Sequence, residues 1–165
     1  MKYFSILLAV LFCSATAFAQ PGSNGSVSDG DLKDVFQLGE AETQYEKLIT
    51  DNQAQLLNVC NNDMEQAFRI WMGMVVSMEE YAETVDYDLN GVRFWIHAFW
   101  NKDGSINKLG FHLRPNSRAV DVEQLRSFLD SFAGQYKLPV RADQGFSHYT
   151  TVAFPTTYML SDDKD

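Results

Sequence analysis

Three histidines, His97, His112 and His148, sit in the second half of a 165-residue chain, and two of them frame the stretch FWIHAFWNKDGSINKLGFH, Phe94 to His112. Imidazoles are the commonest metal ligands and general bases, and period-two alternation puts His97 and His112 on one face of a hairpin. A zinc site, however, takes three or four ligands in fixed geometry. The neighbours on that face are Arg93, Lys108 and Arg114, whose charge opposes a dication. No metal site is expected. Ser147 beside His148 has the residue types of a nucleophile and its base, but neighbours along a strand point to opposite faces. Glu79-Glu80 and Asp162-Asp163 are simplest as solvated surface, and the chain contains neither a Gly-rich phosphate loop nor H-E-x-x-H. No catalytic constellation results, so neither an enzyme nor a cofactor is expected. The competing reading is a small-ligand binding protein or metal-dependent enzyme built on His97 and His112.

The elements that place these side chains follow from periodicity. After Asn90-Gly91, Val92, Phe94, Ile96, Ala98 and Trp100 point one way, and Arg93, Trp95, His97 and Phe99 the other. Lys102-Asp103-Gly104 suits a three-residue hairpin loop with Gly in the left-handed position. Pairing Trp100 with Ile106 and then keeping register would set Ala98 against Lys108 and waste the apolar face. One bulge at Asn107-Lys108 repairs it, bringing Leu109, Phe111 and Leu113 opposite Ala98, Ile96 and Phe94. Trp95 then lies opposite His112. A helix is predicted from Asp121, with Gln124 completing a capping box and Leu125, Phe128, Leu129, Phe132 and Tyr136 forming its buried stripe. A last strand is predicted over Phe146 to Phe154.

Upstream, Tyr45, Leu48, Ile49, Leu56 and Leu57 suit one helix from Glu40 to Cys60. Asp63 and Gln66 are spaced as a second capping box. Met64, Phe68, Trp71, Val75, Met78, Ala82 and Val85 then alternate steps of four and three along one helical face. Residues 40–89 are therefore expected to form a helical hairpin. Core packing explains its Met and Trp stripe better than a cofactor box, since no Cys or His is interleaved.

The ends speak to compartment. MKYFSILLAVLFCSATAFAQ carries Lys2, a short apolar run and Ala17-Phe18-Ala19, the pattern of a cleavable signal peptide over residues 1–19. Bulky Phe12 before Cys13 argues against a lipid anchor, and the run is too short to span a bilayer. A periplasmic or secreted location follows. Removing Lys2 from 13 basic residues leaves 12 against 22 acidic, a net charge of −10 that repels nucleic acid. The acid is concentrated before Gly91. Cys60 alone remains as a thiol, so stability rests on a core rather than a disulfide. Residues 20–39, rich in Gly and Ser, are expected to be a flexible tether, and 159–165 an acidic tail.

The pattern V-x-F-x-I, then NKDGSI, a helix and a final strand resembles the C-terminal domain of TonB-type periplasmic proteins, especially the exported forms of Bacteroidetes. The resemblance covers residues 90–158, with Asn101 where the first acidic turn position stands in that family. Energy transducers of this kind are similar to one another in a retained membrane anchor and a Pro-rich spacer, and this chain has neither. The resemblance implies a sheet with helices on one face, and binding of an envelope protein partner through strand edges, without energy transduction.

Together these readings predict an α+β protein: a helical hairpin packed on a small antiparallel sheet of strand-strand-helix-strand order. Its candidate interaction face is Trp95, His97, Phe99, His112 and Arg114. Two fates are open to that face. Either the helical hairpin folds over it, which its broad apolar surface favours, or it binds a partner.

Overall fold

The strand that carries His97 is flanked by a strand on each side. The computed structural model describes residues 32–157; the expected signal peptide over residues 1–19, the first part of the expected tether and the expected acidic tail lie outside the described residues. In chain order the elements are β1 (Val35–Gln37), α1 (Glu42–Asp51), β2 (Ala54–Gln55), α2 (Leu56–Val59), α3 (Met64–Thr84), β3 (Arg93–Trp100), β4 (Ile106–Leu113), α4 (Val122–Gln135) and β5 (Phe146–Ala153). They form one five-stranded sheet of order β1-β4-β3-β5-β2. The central three strands are antiparallel, and the short outer strands β1 and β2 run parallel to β4 and β5.

The protein is thus α+β, but its sheet is mixed and larger than the small antiparallel one expected. The β3–β4 register follows from burying one face. Ile96 pairs with Phe111, Trp95 with His112 and Trp100 with Ile106, and the shift between Phe99 and Trp100 leaves Asn107 as the extra residue. Gly104 takes φ 88° in the hairpin loop. Leu138 donates its N–H to the Gly104 carbonyl at 2.8 Å, and Lys137 pairs with Asp103, so the loop is tied to the chain after α4.

Two expectations need correcting. First, residues 40–60 are not one helix. Helix α1 stops at Asp51, where Asn52 bonds back to the Leu48 carbonyl and accepts from Ser147 Oγ. Ala54 and Gln55 then join the sheet, and Gln55 caps the separate turn α2. No helical hairpin forms. α3 and α4 cover the face of Phe94, Ile96, Ala98 and Trp100, whereas α1 meets the opposite face through Tyr45. The result is three layers, with helices on both sides of the sheet. The apolar stripe of α3 is buried at Trp71, Val75, Met78 and Ala82, but Met64, Phe68 and Val85 overhang into solvent at its ends.

Second, Val35–Gln37 are not tether. Three residues are a weak strand, so side chains hold them. The buried Arg126 of α4 donates to the Val35 carbonyl and to Glu40, and Lys108 of β4 donates to the Leu32 carbonyl and Asp34. The guanidinium beside Glu40 holds that carboxyl below its usual range. Phe36 completes the attachment by lying over Gly110: a Cβ there would come within 2.8 Å of the Phe36 ring and 2.7 Å of Leu38.

That close approach makes a paired test. Gly110→Ala forces the Phe36 ring and β1 outward and is expected to cost about 1–3 kcal/mol in chemical denaturation. Gly73→Ala, on an open stretch of α3 with nothing within 4 Å of the new Cβ, is expected to gain about 0.5–1 kcal/mol through helix propensity.

Candidate functional site

Strand β3 presents Arg93, Trp95, His97 and Phe99 to the face opposite α3 and α4. Register sets His97 between Gly110 of β4 and Tyr149 of β5, and Trp95 between His112 and Thr151. The absence of a side chain at Gly110 leaves a hollow that Phe36 fills. Beside it, Tyr45 of α1 reaches down from above, with its ring 5.6 Å from Phe36, 5.7 Å from His97 and 6.4 Å from Phe99. Half of the face is closed by these two rings.

The candidate residues therefore separate. Phe99 is wholly buried and His97 is 7% exposed, so neither belongs to an interaction surface. Trp95, His112 and Arg114 remain at the surface. Trp95, 36% exposed, stacks on Tyr149, 49% exposed, with ring centroids 5.8 Å apart and planes within 8°. The Arg114 guanidinium carbon lies 5.6 Å from the Trp95 ring centroid, within cation–π range. The exposed site is thus an aromatic pair with a cation on one flank and His112 opposite Trp95 on the neighbouring strand. Tyr149 was missed in the sequence because only knowledge that β5 lies beside β3 places it diagonal to Trp95. Tyr45 belongs to the apolar stripe expected to fold over this face, and α1 covers it in part through that ring, whereas Phe36 of β1 had no signal linking it to the face.

The histidines do not converge. His97 is covered by Tyr45, whose hydroxyl lies 2.8 Å from His97 Nδ1, whereas His112 is exposed on β4. His148 faces the other side of the sheet under Trp71, at 4.8 Å between ring centroids. Ser147 is buried and donates to the Asn52 carbonyl, so it points away from His148. Among the described residues no three metal-ligating side chains gather in one place. Cys60 is a buried, unpaired thiol whose pKa is pushed up by burial and then by Asp63.

Two larger hollows lie elsewhere. Tyr81, Tyr87 and Phe128 stack in a groove of about 520 Å³ between α3 and α4. Another, of about 600 Å³, is polar and lined by Lys33, Asp34, Lys108 and Arg126. Its lysine and arginine at positions 108 and 126 are already engaged in holding β1. Comparison with protein-family models, with curated proteins and with solved structures finds no match.

Burial, and next the proximity of His148, lowers the His97 pKa to about 4. An unfolded His titrates near 6.5, so below that pH the unfolded chain binds a proton the folded chain refuses. The stability tied to neutral His97 is complete above about pH 6.5 and is lost as pH falls from there to about 4. Burial lowers His148 in the same direction. Chemical denaturation at several pH values is expected to show roughly 2–3 kcal/mol lost across that window, with a shallower slope in His97→Gln.

Proposed function

We propose that this chain is a non-catalytic interaction protein of the cell envelope, periplasmic or secreted, that offers an exposed strand surface to a protein partner. The observation that carries the reading is the Trp95–Tyr149 pair. Large aromatics are the residues that dominate binding energy at protein interfaces, with Arg alongside. Here the Trp and Tyr are stacked on each other at the surface rather than packed beneath a helix, and Arg114 lies against the Trp ring.

Several features support this over catalysis. The face is set on rigid strands, so the rings are held in place at low entropic cost to a partner. The titratable groups nearby are dispersed rather than convergent. The prolonged sheet edge beside Tyr149 adds a second mode of attachment, strand addition, in which main-chain bonds give affinity and side-chain pockets give specificity. Among the described residues no helix is long and apolar enough to cross a membrane. The signal-like leader is the basis for placing the protein beyond the inner membrane, and the −10 charge of the processed chain is the basis for excluding nucleic acid.

The test uses Trp95→Ala on purified protein as bait for envelope extract. Because Trp95 is part-exposed, the substitution is expected to cost only about 0.5–1.5 kcal/mol through the lost Tyr149 stack, with an unchanged circular-dichroism spectrum. Capture of envelope proteins by the wild type should fall severalfold in the variant. Equal capture by the two would overturn the aromatic face, and an unfolded variant would show that Trp95 is core.

A further inference from the structure

Among the described residues, the outer side of β5 beyond its short pairing with β2 is an open sheet edge. Phe154 donates its N–H to the Val92 carbonyl, and Arg114 donates to the Arg93 carbonyl. Even-numbered residues of β3 therefore bond to β5 and odd-numbered ones to β4. With Phe94 opposite Val152, Ile96 opposite Thr150 and Ala98 opposite His148, the main-chain groups of His148, Thr150 and Val152 face β3. Those of Ser147, Tyr149, Thr151 and Ala153 face outward. Strand β2 takes Ser147 through Gln55. Beyond it, among the described residues, no strand pairs with Tyr149, Thr151 or Ala153.

Exposed edges are normally blunted by charge, Pro or a bulge. β5 has none of these: FSHYTTVAF contains no Lys, Arg, Asp, Glu or Pro, and Tyr, Thr and Val favour strands. The opposite edge contrasts with it, since β1 is three residues long and sits among Lys33, Asp34, Glu40 and Lys108.

We infer that this edge is completed by a second copy of the chain, with two β5 strands pairing antiparallel about a twofold axis at Thr151 to make one continuous sheet. This rests on the reading that the protein works through exposed strand surface. The register is the one that uses every free group. Thr151 faces Thr151, and Tyr149 faces Ala153 of the second copy, so all three outward residues bond and a large ring meets a small side chain. One step further, the second copy has reached Pro155, which has no N–H to donate, exactly where β2 already occupies Ser147. Electrostatics agree. Each chain is strongly acidic, but the paired strands bring no charge against charge. A foreign strand would satisfy the same hydrogen bonds without the Tyr149–Ala153 match repeated on both sides of the axis.

Analytical ultracentrifugation of the full chain purified after export tests this. A monomer–dimer equilibrium is expected that strengthens with concentration. Thr151→Lys places two ammonium groups at the axis and should weaken dimerisation about fivefold or more, with unchanged near-ultraviolet circular dichroism. Trp95→Ala should still dimerise. As a second measurement, Thr151→Cys should form an intermolecular disulfide under mild oxidation, since facing residues in such a ladder have Cα atoms about 5.5 Å apart; Ala119→Cys, in the loop before α4, should not. A wild type that stays monomeric at all concentrations, or a Thr151→Lys dimer of undiminished affinity, overturns the inference. A monomer that still captures envelope proteins through Trp95 sinks the dimer and leaves the proposed function standing.

Discussion

Everything in this fold answers to one constraint: the middle of β3 is buried on both faces. Phe94, Ile96, Ala98 and Trp100 on one side, and His97 and Phe99 on the other, are all buried. A strand of this kind is stable only at the centre of a sheet with cover above and below. β4 and β5 satisfy its main chain. α3 and α4 supply a full apolar layer on one side. The other side has far less to work with, since α1 buries none of its residues fully and contributes chiefly Tyr45. The cover therefore runs out before Trp95, and the exposed aromatic pair is where it ends.

The thin layer depends on β1. Phe36 reaches the hollow over Gly110 only because β1 is held against β4, and three ladder residues would not hold it unaided. Arg126 does so from the far side of the sheet. It is buried, it bonds to Val35 and Glu40, and its guanidinium carbon lies 5.9 Å from the Phe111 ring centroid. Leaving such a cation without its carboxylate would be costly. The Glu40 end of the pair is half exposed, so solvent offsets part of that cost. One α4 residue thus couples the thick helical layer to the thin one, and through Phe36 it bears on Tyr45 and His97.

Legibility in the sequence tracked the range of the interactions. The bulge at Asn107, the Gly104 turn and the Asp63 and Asp121 caps were readable because each depends on residues a few positions apart. The strands β1 and β2 were not. At three and two residues they have no period to detect, and their partners lie far along the chain in parallel pairing. The break at Asn52 was hidden for a related reason: Tyr45, Leu48 and Leu56 keep helical spacing across it, although Leu56 belongs to the layer of α3 and Tyr45 to the opposite one. Of the candidate face, Trp95, His112 and Arg114 remain at the surface. His97 and Phe99 are buried by side chains that nothing in their neighbourhood announces.

Alternation and turn chemistry by themselves determined that residues 92–113 form a bulged hairpin with one wholly apolar side and a second side of mixed aromatics and cations. Only the tertiary structure decided how that second side is divided. The division depends on where Tyr45 and Phe36 land, and that is set by long-range attachment of β1 and α1 through Arg126, Lys108 and the gap at Gly110. Local sequence encodes which way a side chain points. What stands in front of it is a property of the assembled sheet.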